Sequence, residues 1–242
     1  MRVRVLTYNI RHGLGSDGLQ SLARIRDVIA TSGADIVCLQ EVYSGFGSKP
    51  NARQATWLAE QTGFHVAYAD NWRLWPFRGM GNAILTRGAD YSTWNNRLPS
   101  IREPRGLLQI QIGEQLAPIT VLATHWGLHA TERLKQSQRC AEVVLSLATP
   151  VIFCGDLNVT PDAPEIASLI EVSGLTDTWP GGPPTYAVSE PTARIDYVLT
   201  SRHWNVIHRE RIQTHASDHF PVLVELELGD LGDPSASGGD PL

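Results

Sequence analysis

The 242 residues are 42% hydrophobic and 19% charged, with 21 Gly and 15 Pro, which excludes a disordered, collagen-like or coiled-coil chain. A formal net charge of −5 argues against a protein that grips nucleic acid by a broad basic surface, though not against local phosphate recognition. No apolar run approaches the ~18 residues of a membrane span.

The N-terminal Met1-Arg2-Val3-Arg4-Val5-Leu6 enters a strand pattern directly, without the basic and apolar regions of a secretion signal. Cys38 and Cys154 lie in apolar strand runs, and Cys140 stands apart from both. They read as reduced thiols, so a cytoplasmic protein is expected.

In chain order, Val3 to Tyr8 reads as a strand and residues 13 to 18 as a Gly-rich turn. Leu19, Leu22, Ile25, Val28 and Ile29 share one face of a helix over 19–31, stopped at Gly33. The nearly continuous apolar run 35–41 predicts a central strand buried on both faces. A helix follows over 52–61, ending at Gly63, then a strand over 65–69 and a loop over 71–78. Strands are predicted at 82–86, 106–112 and 118–125, with a loop over 96–105.

A helix over 131–147, a strand over 151–155 and a helix over 164–172 come next. Strands at 195–200, 205–212 and 220–228 close the pattern, the last alternating strictly as a half-exposed strand should. About ten strands and four helices suggest two face-to-face, mainly antiparallel sheets with helices outside, an α/β class. Residues 1–228 read as one domain, and the Gly-, Asp-, Ser- and Pro-rich tail 229–242 as a flexible end.

Function is suggested by polar residues placed where apolar strands stop: Asn9, Gln40-Glu41, Thr124-His125, Gly155-Asp156-Leu157-Asn158, Asp196, and Ser217-Asp218-His219. Singly, each has a plain reading, Asn9 as a turn former or His125 as a satisfied core histidine. Together at so many strand ends they suit a hard divalent cation and a phosphate. Zinc is disfavoured, because neither a CxxC pair nor an HExxH helix is present.

Seven segments resemble, in order, the motifs of the endonuclease/exonuclease/phosphatase superfamily. They are Leu6-Thr7-Tyr8-Asn9-Ile10, Leu39-Gln40-Glu41-Val42, Gly81-Asn82-Ala83-Ile84-Leu85-Thr86-Arg87, Ala123-Thr124-His125, Cys154-Gly155-Asp156-Leu157-Asn158, Arg194-Ile195-Asp196-Tyr197 and Ser217-Asp218-His219-Phe220-Pro221. The resemblance implies a four-layered α/β sandwich and Mg²⁺- or Mn²⁺-dependent phosphoester hydrolysis by an activated water. It implies Glu41 as metal ligand with Asn9 beside it and Asp218 completing the site. Asp156 would orient or deprotonate the water, and Asn158 and His125 would contact the phosphate. His219, paired with Asp196, would serve as general acid/base.

One departure stands out from pancreatic-type DNases, which pair the equivalent of His125 with a glutamate. Here Gly79-Met80-Gly81-Asn82 offers no carboxylate, so Asn82 or a backbone group is expected to orient His125. Arg11, Arg78 and Arg105 are candidate substrate contacts, with Asn82 beside them, and Trp72 and Trp75 lie in the predicted 71–78 loop.

The expected substrate is a small or lipid phosphodiester. A DNA or RNA nuclease is the first alternative and a phosphate binder without catalysis the second. A monomer without a stable protein partner is expected.

Overall fold

Short apolar runs broken by turn residues condense into a β-rich sandwich, seen here in a computed structural model that describes residues 1–45, 53–74, 78–113 and 118–229. The first half builds β1 (Arg2–Asn9), α1 (Leu22–Ser32), β2 (Ile36–Gly45), α2 (Gln54–Thr62), β3 (His65–Leu74), β4 (Arg78–Thr86), β5 (Tyr91–Leu98) and β6 (Arg105–Ile112). The second builds β7 (Ile119–His125), α3 (Ala130–Leu145), β8 (Val151–Asp156), α4 (Pro164–Ser173), β9 (Thr176–Asp177), β10 (Asp196–Thr200), β11 (Trp204–Arg211) and β12 (Val222–Leu228). Gly33 and Gly63, at φ of 64° and 70°, supply the left-handed stops of α1 and α2.

Two six-stranded sheets form, ordered β11-β12-β1-β2-β4-β3 and β5-β6-β7-β8-β10-β9. Pairing is antiparallel except for β1–β2 and β7–β8, which are parallel. Alternation along each strand sends side chains to opposite faces. Val5, Cys38 and Ile84 meet Leu108, Val121, Ile152 and Cys154 between the sheets. Leu6, Leu39 and Leu85 pack outward on Ile25, Ile29 and Leu58 of α1 and α2. On the other side Leu122, Phe153 and Leu199 pack on Val144 of α3 and Leu169 of α4. This is the predicted four-layered α/β sandwich.

Two expectations are corrected. Residues 71–74 continue β3 and Arg78 opens β4, so both ends of the predicted 71–78 loop are strand. Residues 96–98 belong to β5, an edge strand, and Arg105 opens β6. β5 reads Tyr-Ser-Thr-Trp-Asn-Asn-Arg-Leu and is mostly exposed, so it carries no apolar period. The short β9 had no signal either. Trp75, the start of the predicted second helix and the tail from residue 230 lie outside the described residues. Among the described residues no helix is long and apolar enough to cross a membrane.

Gly155 precedes Asp156 in β8, and a Cβ there would drive into the Thr124 carbonyl oxygen of β7. Backbone in a paired strand yields little. Gly155→Ala is therefore expected to lower stability by about 1–3 kcal/mol, measured by urea unfolding; an unchanged midpoint would contradict so close an approach.

Candidate active site

Parallel pairing brings the ends of β7 and β8 together, with His125 in register with Asp156. Antiparallel pairing sets Asp196, the first residue of β10, opposite Asp156 on its other side. In-register neighbours present side chains to the same face of a sheet, so β7, β8 and β10 hold three polar groups side by side. The other sheet contributes Asn9 from the end of β1 and Glu41 from β2. Asn9 spans the two sheets, its Nδ2 donating to Glu41 Oε1 at 3.1 Å and to Asp156 Oδ2 at 3.0 Å.

Glu41 sits where the β2–β4 register shifts, at a φ of 54°. A bulge re-aims a side chain at the cost of backbone strain. The last two predicted residues are held by Ser217, whose hydroxyl donates to the Asn9 carbonyl oxygen at 2.8 Å. That anchor brings Asp218 and His219 to the strand ends. His219 Nδ1 lies 2.9 Å from Asp196 Oδ2, and its Nε2 lies 3.6 Å from Asp156 Oδ2. His125 Nε2 approaches the same Asp156 oxygen at 3.5 Å. Asp156 Oδ1 accepts from the Asn158 backbone N–H at 3.0 Å.

Asp156, Asp196, His125 and His219 are all buried. Burial, joined by the charge of Asp196, pushes the Asp156 carboxyl up to about 7 against the opposing pull of His219, Asn9 and Asn158. Burial pulls His219 down, but Asp196, Asp156 and Asp218 more than offset it and carry the ring up to about 10. His125 goes the other way, held well below the usual imidazole range by burial and by the charges of Arg105 and His219.

Several predicted roles change. Asn82 does not orient His125: its Nδ2 donates to the carbonyl oxygens of Gly106 and Ala123, bracketing the two sheets. Arg105 does, with Nη1 3.0 Å from His125 Nδ1. Arg105 is 8% exposed and its Nη2 donates to Glu103, so it is not an open substrate contact. Arg11 pairs with Asp218 at 3.3 Å and stays partly exposed, and Arg78 is exposed at the start of β4. Asn158 spends one amide hydrogen on the Trp126 carbonyl oxygen at 2.9 Å.

The expected metal set is Glu41, Asn9 and Asp218, but among the described His, Cys, Asp and Glu side chains a different group clusters. Asp156, Asp196 and His219 offer ligand atoms within 4.8 Å of one another, a buried acidic and imidazole cluster that could hold a metal ion. Within it His219 Nδ1 and Asp196 Oδ2 already satisfy each other at 2.9 Å, an imidazole–carboxylate pairing that suits moving a proton. Asn9 directs N–H, not oxygen, at Glu41, because its Oδ1 accepts from the Arg11 backbone. Asp218 is already engaged by Arg11 and Ser217.

Tyr186 was not anticipated. Its ring lies 4.7 Å from that of His219 and walls the imidazole from one side. No motif marks it, and only the fold brings residue 186 to the site.

The model of the Endonuclease/Exonuclease/phosphatase family matches residues 6–219. A relative from Escherichia coli, the uncharacterized protein YbhP, is 30% identical, the alignment covering 93% of this chain and 96% of that one. An endonuclease/exonuclease/phosphatase structure from Beutenbergia cavernae superposes with a TM-score of 0.78 at 24% identity, over 94% of this chain and 72% of that one. A mannosyl-6-phosphatase from Bacteroides thetaiotaomicron superposes with a TM-score of 0.75 at 18% identity, over 93% and 100%. With a family match spanning the strand ends that meet at Asp156, the chain belongs to the endonuclease/exonuclease/phosphatase family of hydrolases.

Proposed function

We propose that the protein hydrolyses a phosphodiester of a small molecule or lipid, using a water activated at Asp156 and a divalent cation, Mg²⁺ or Mn²⁺. The observation that carries this reading is the convergence of two imidazoles and one amide on a single oxygen of Asp156, at 3.5, 3.6 and 3.0 Å. Asp156, with a proton affinity near neutrality, takes a proton from the attacking water as its oxygen bonds to phosphorus. His219, charged and steadied by Asp196, gives a proton to the leaving oxygen as the old P–O bond breaks. His125 and the remaining amide hydrogen of Asn158 donate to phosphoryl oxygens.

Glu41 suits a hard cation. Among the described residues Asn9 is the one group bonded to its side chain, so a part-buried carboxylate lacks any cationic partner. One or two carboxylates with water and substrate phosphate are the usual surroundings of Mg²⁺. Glu41 would hold the ion with Asn9 fixing its carboxylate, and Asp218 would stand by once released from Arg11. Such a cation offsets charge that develops on the phosphoryl group.

A small substrate fits the net charge of −5, which disfavours long polyanions. The mannosyl-6-phosphatase of the same fold is likewise named for a small phosphoester.

The test is turnover of bis-p-nitrophenyl phosphate, p-nitrophenyl phosphate, phospholipid vesicles, plasmid DNA and single-stranded RNA. Diester hydrolysis lost with EDTA and restored by Mg²⁺ or Mn²⁺ is expected. Glu41→Gln should cut the restored rate by roughly 10–100-fold and raise the metal concentration needed. A rate indifferent to EDTA overturns the metal, and preferential nicking of plasmid replaces the small diester with nucleic acid.

A further inference from the structure

The two histidines beside Asp156 have opposite partners. His219 Nδ1 faces a carboxylate, Asp196, at 2.9 Å, whereas His125 Nδ1 faces a guanidinium, Arg105, at 3.0 Å. A guanidinium has five N–H donors and no acceptor, and it does not lose its charge in proteins. The Nδ1 atom of His125 must therefore accept, and a neutral ring then carries its one proton on Nε2. We infer that Arg105 is a positioning residue that locks His125 as the neutral Nε2–H imidazole, a fixed hydrogen-bond donor beside Asp156 that cannot take up the reaction's proton.

The lock is itself braced. Glu103 accepts from Arg105 Nη2 at 3.0 Å through one oxygen and from Trp72 Nε1 at 3.0 Å through the other. Trp72 in β3 is thereby tied through Glu103, Arg105 and His125 to Asp156, linking a hairpin of one sheet to the catalytic edge of the other. The groups facing the His125 ring from neighbouring elements are Arg105 of β6, Asp156 of β8 and His219 before β12. Two of these are cationic, and protonating Nδ1 would aim one N–H at another.

The consequence is a division of labour. A carboxylate partner makes one imidazole a proton carrier, and a guanidinium partner makes the other a pure donor, so the proton released by water has one acceptor, Asp156. Environments that push paired titratable groups apart assign such roles. The tautomer stands on the hydrogen-bond geometry alone; its use in catalysis rests on the phosphoester reading above.

The experiment is a long-range ¹H–¹⁵N correlation of the imidazole nitrogens in metal-free protein at neutral pH, with His125→Gln used for assignment. The expected pattern for His125 is an unprotonated Nδ1 and a protonated Nε2. Arg105→Lys, which keeps a cationic donor, should preserve it, and Arg105→Leu should release the ring to exchange between tautomers. In turnover, Arg105→Leu should lose roughly 10–100-fold in kcat, with lysine restoring part of it and KM little changed.

A protonated Nδ1 in the wild-type protein overturns the inference, even if the leucine variant does not fold. So does a leucine variant whose His125 spectrum is unchanged. The expected spectrum without phosphoester turnover would instead defeat the proposed function while leaving the tautomer lock standing.

Discussion

Asp156→Asn is expected to lower phosphodiester turnover by about 10²–10⁴-fold while the protein remains folded. The carboxylate is surrounded by donors: the Asn158 backbone N–H on one oxygen, and Asn9, His125 and His219 around the other. Asparagine keeps the volume but turns an N–H toward one of these donors and removes the group proposed to take water's proton. The stability effect has a definite sign. In metal-free protein the folded pKa is raised from 3.8 to about 7, so the folded state binds more protons than the unfolded one between those values. Stability then falls as pH rises through that window, and above it a buried charge remains as a standing cost.

The variant should lose this slope, gaining on the wild type at pH 8 relative to pH 3.8. Initial rates and urea unfolding at the two pH values check both halves. Turnover within twofold of wild type would remove Asp156 from the proton path.

The part of the molecule legible beforehand is the part where burial and polarity change abruptly. β1, β7 and β8 are apolar runs that stop at Asn9, His125 and Asp156, and the apolar run of β2 breaks at Glu41 although the strand continues to Gly45; a polar residue ending a buried run has few structural reasons to be there. Registry did the rest: the same parallel pairing that makes β7 and β8 continuous apolar runs sets His125 beside Asp156.

Arg105 was visible as a residue but not as a partner. Whether its guanidinium faces solvent, substrate or His125 depends on how β6 lies against β7, which no local pattern encodes. The carboxylate-free stretch around Asn82 is consistent with the guanidinium found beside His125 Nδ1. Asn82 does not fill that place because its Nδ2 donates to backbone carbonyl oxygens of the other sheet. The edge strand β5 escaped because its exposed faces obey no hydrophobic period.

Asp196→Asn is expected to reduce turnover by about 10²–10⁴-fold as well, although Asp196 lies behind the imidazole. Thr185 Oγ1 accepts from the backbone N–H groups of Ile195 and Asp196, fixing the start of β10. One Asp196 oxygen is bonded to His219, and the other is buried without a partner among the described residues. The carboxylate's stabilisation of charge is thus directed at the imidazole, and asparagine would remove it without changing shape.

His219 is raised from 6.5 to about 10. Its contribution to stability is therefore fully present below pH 6.5 and is lost as pH climbs toward about 10. In Asp196→Asn the folded-state pKa should drop, flattening the stability profile in that window and bringing the loss of general-acid activity to lower pH. Double substitution with His219→Asn supplies the decisive comparison, because residues that act as a unit are not additive. The double variant should be about as slow as either single one. Additive losses, or a stability slope between pH 6.5 and 10 that survives in Asp196→Asn, would mean that Asp196 supports the fold of β10 and not the proton on His219.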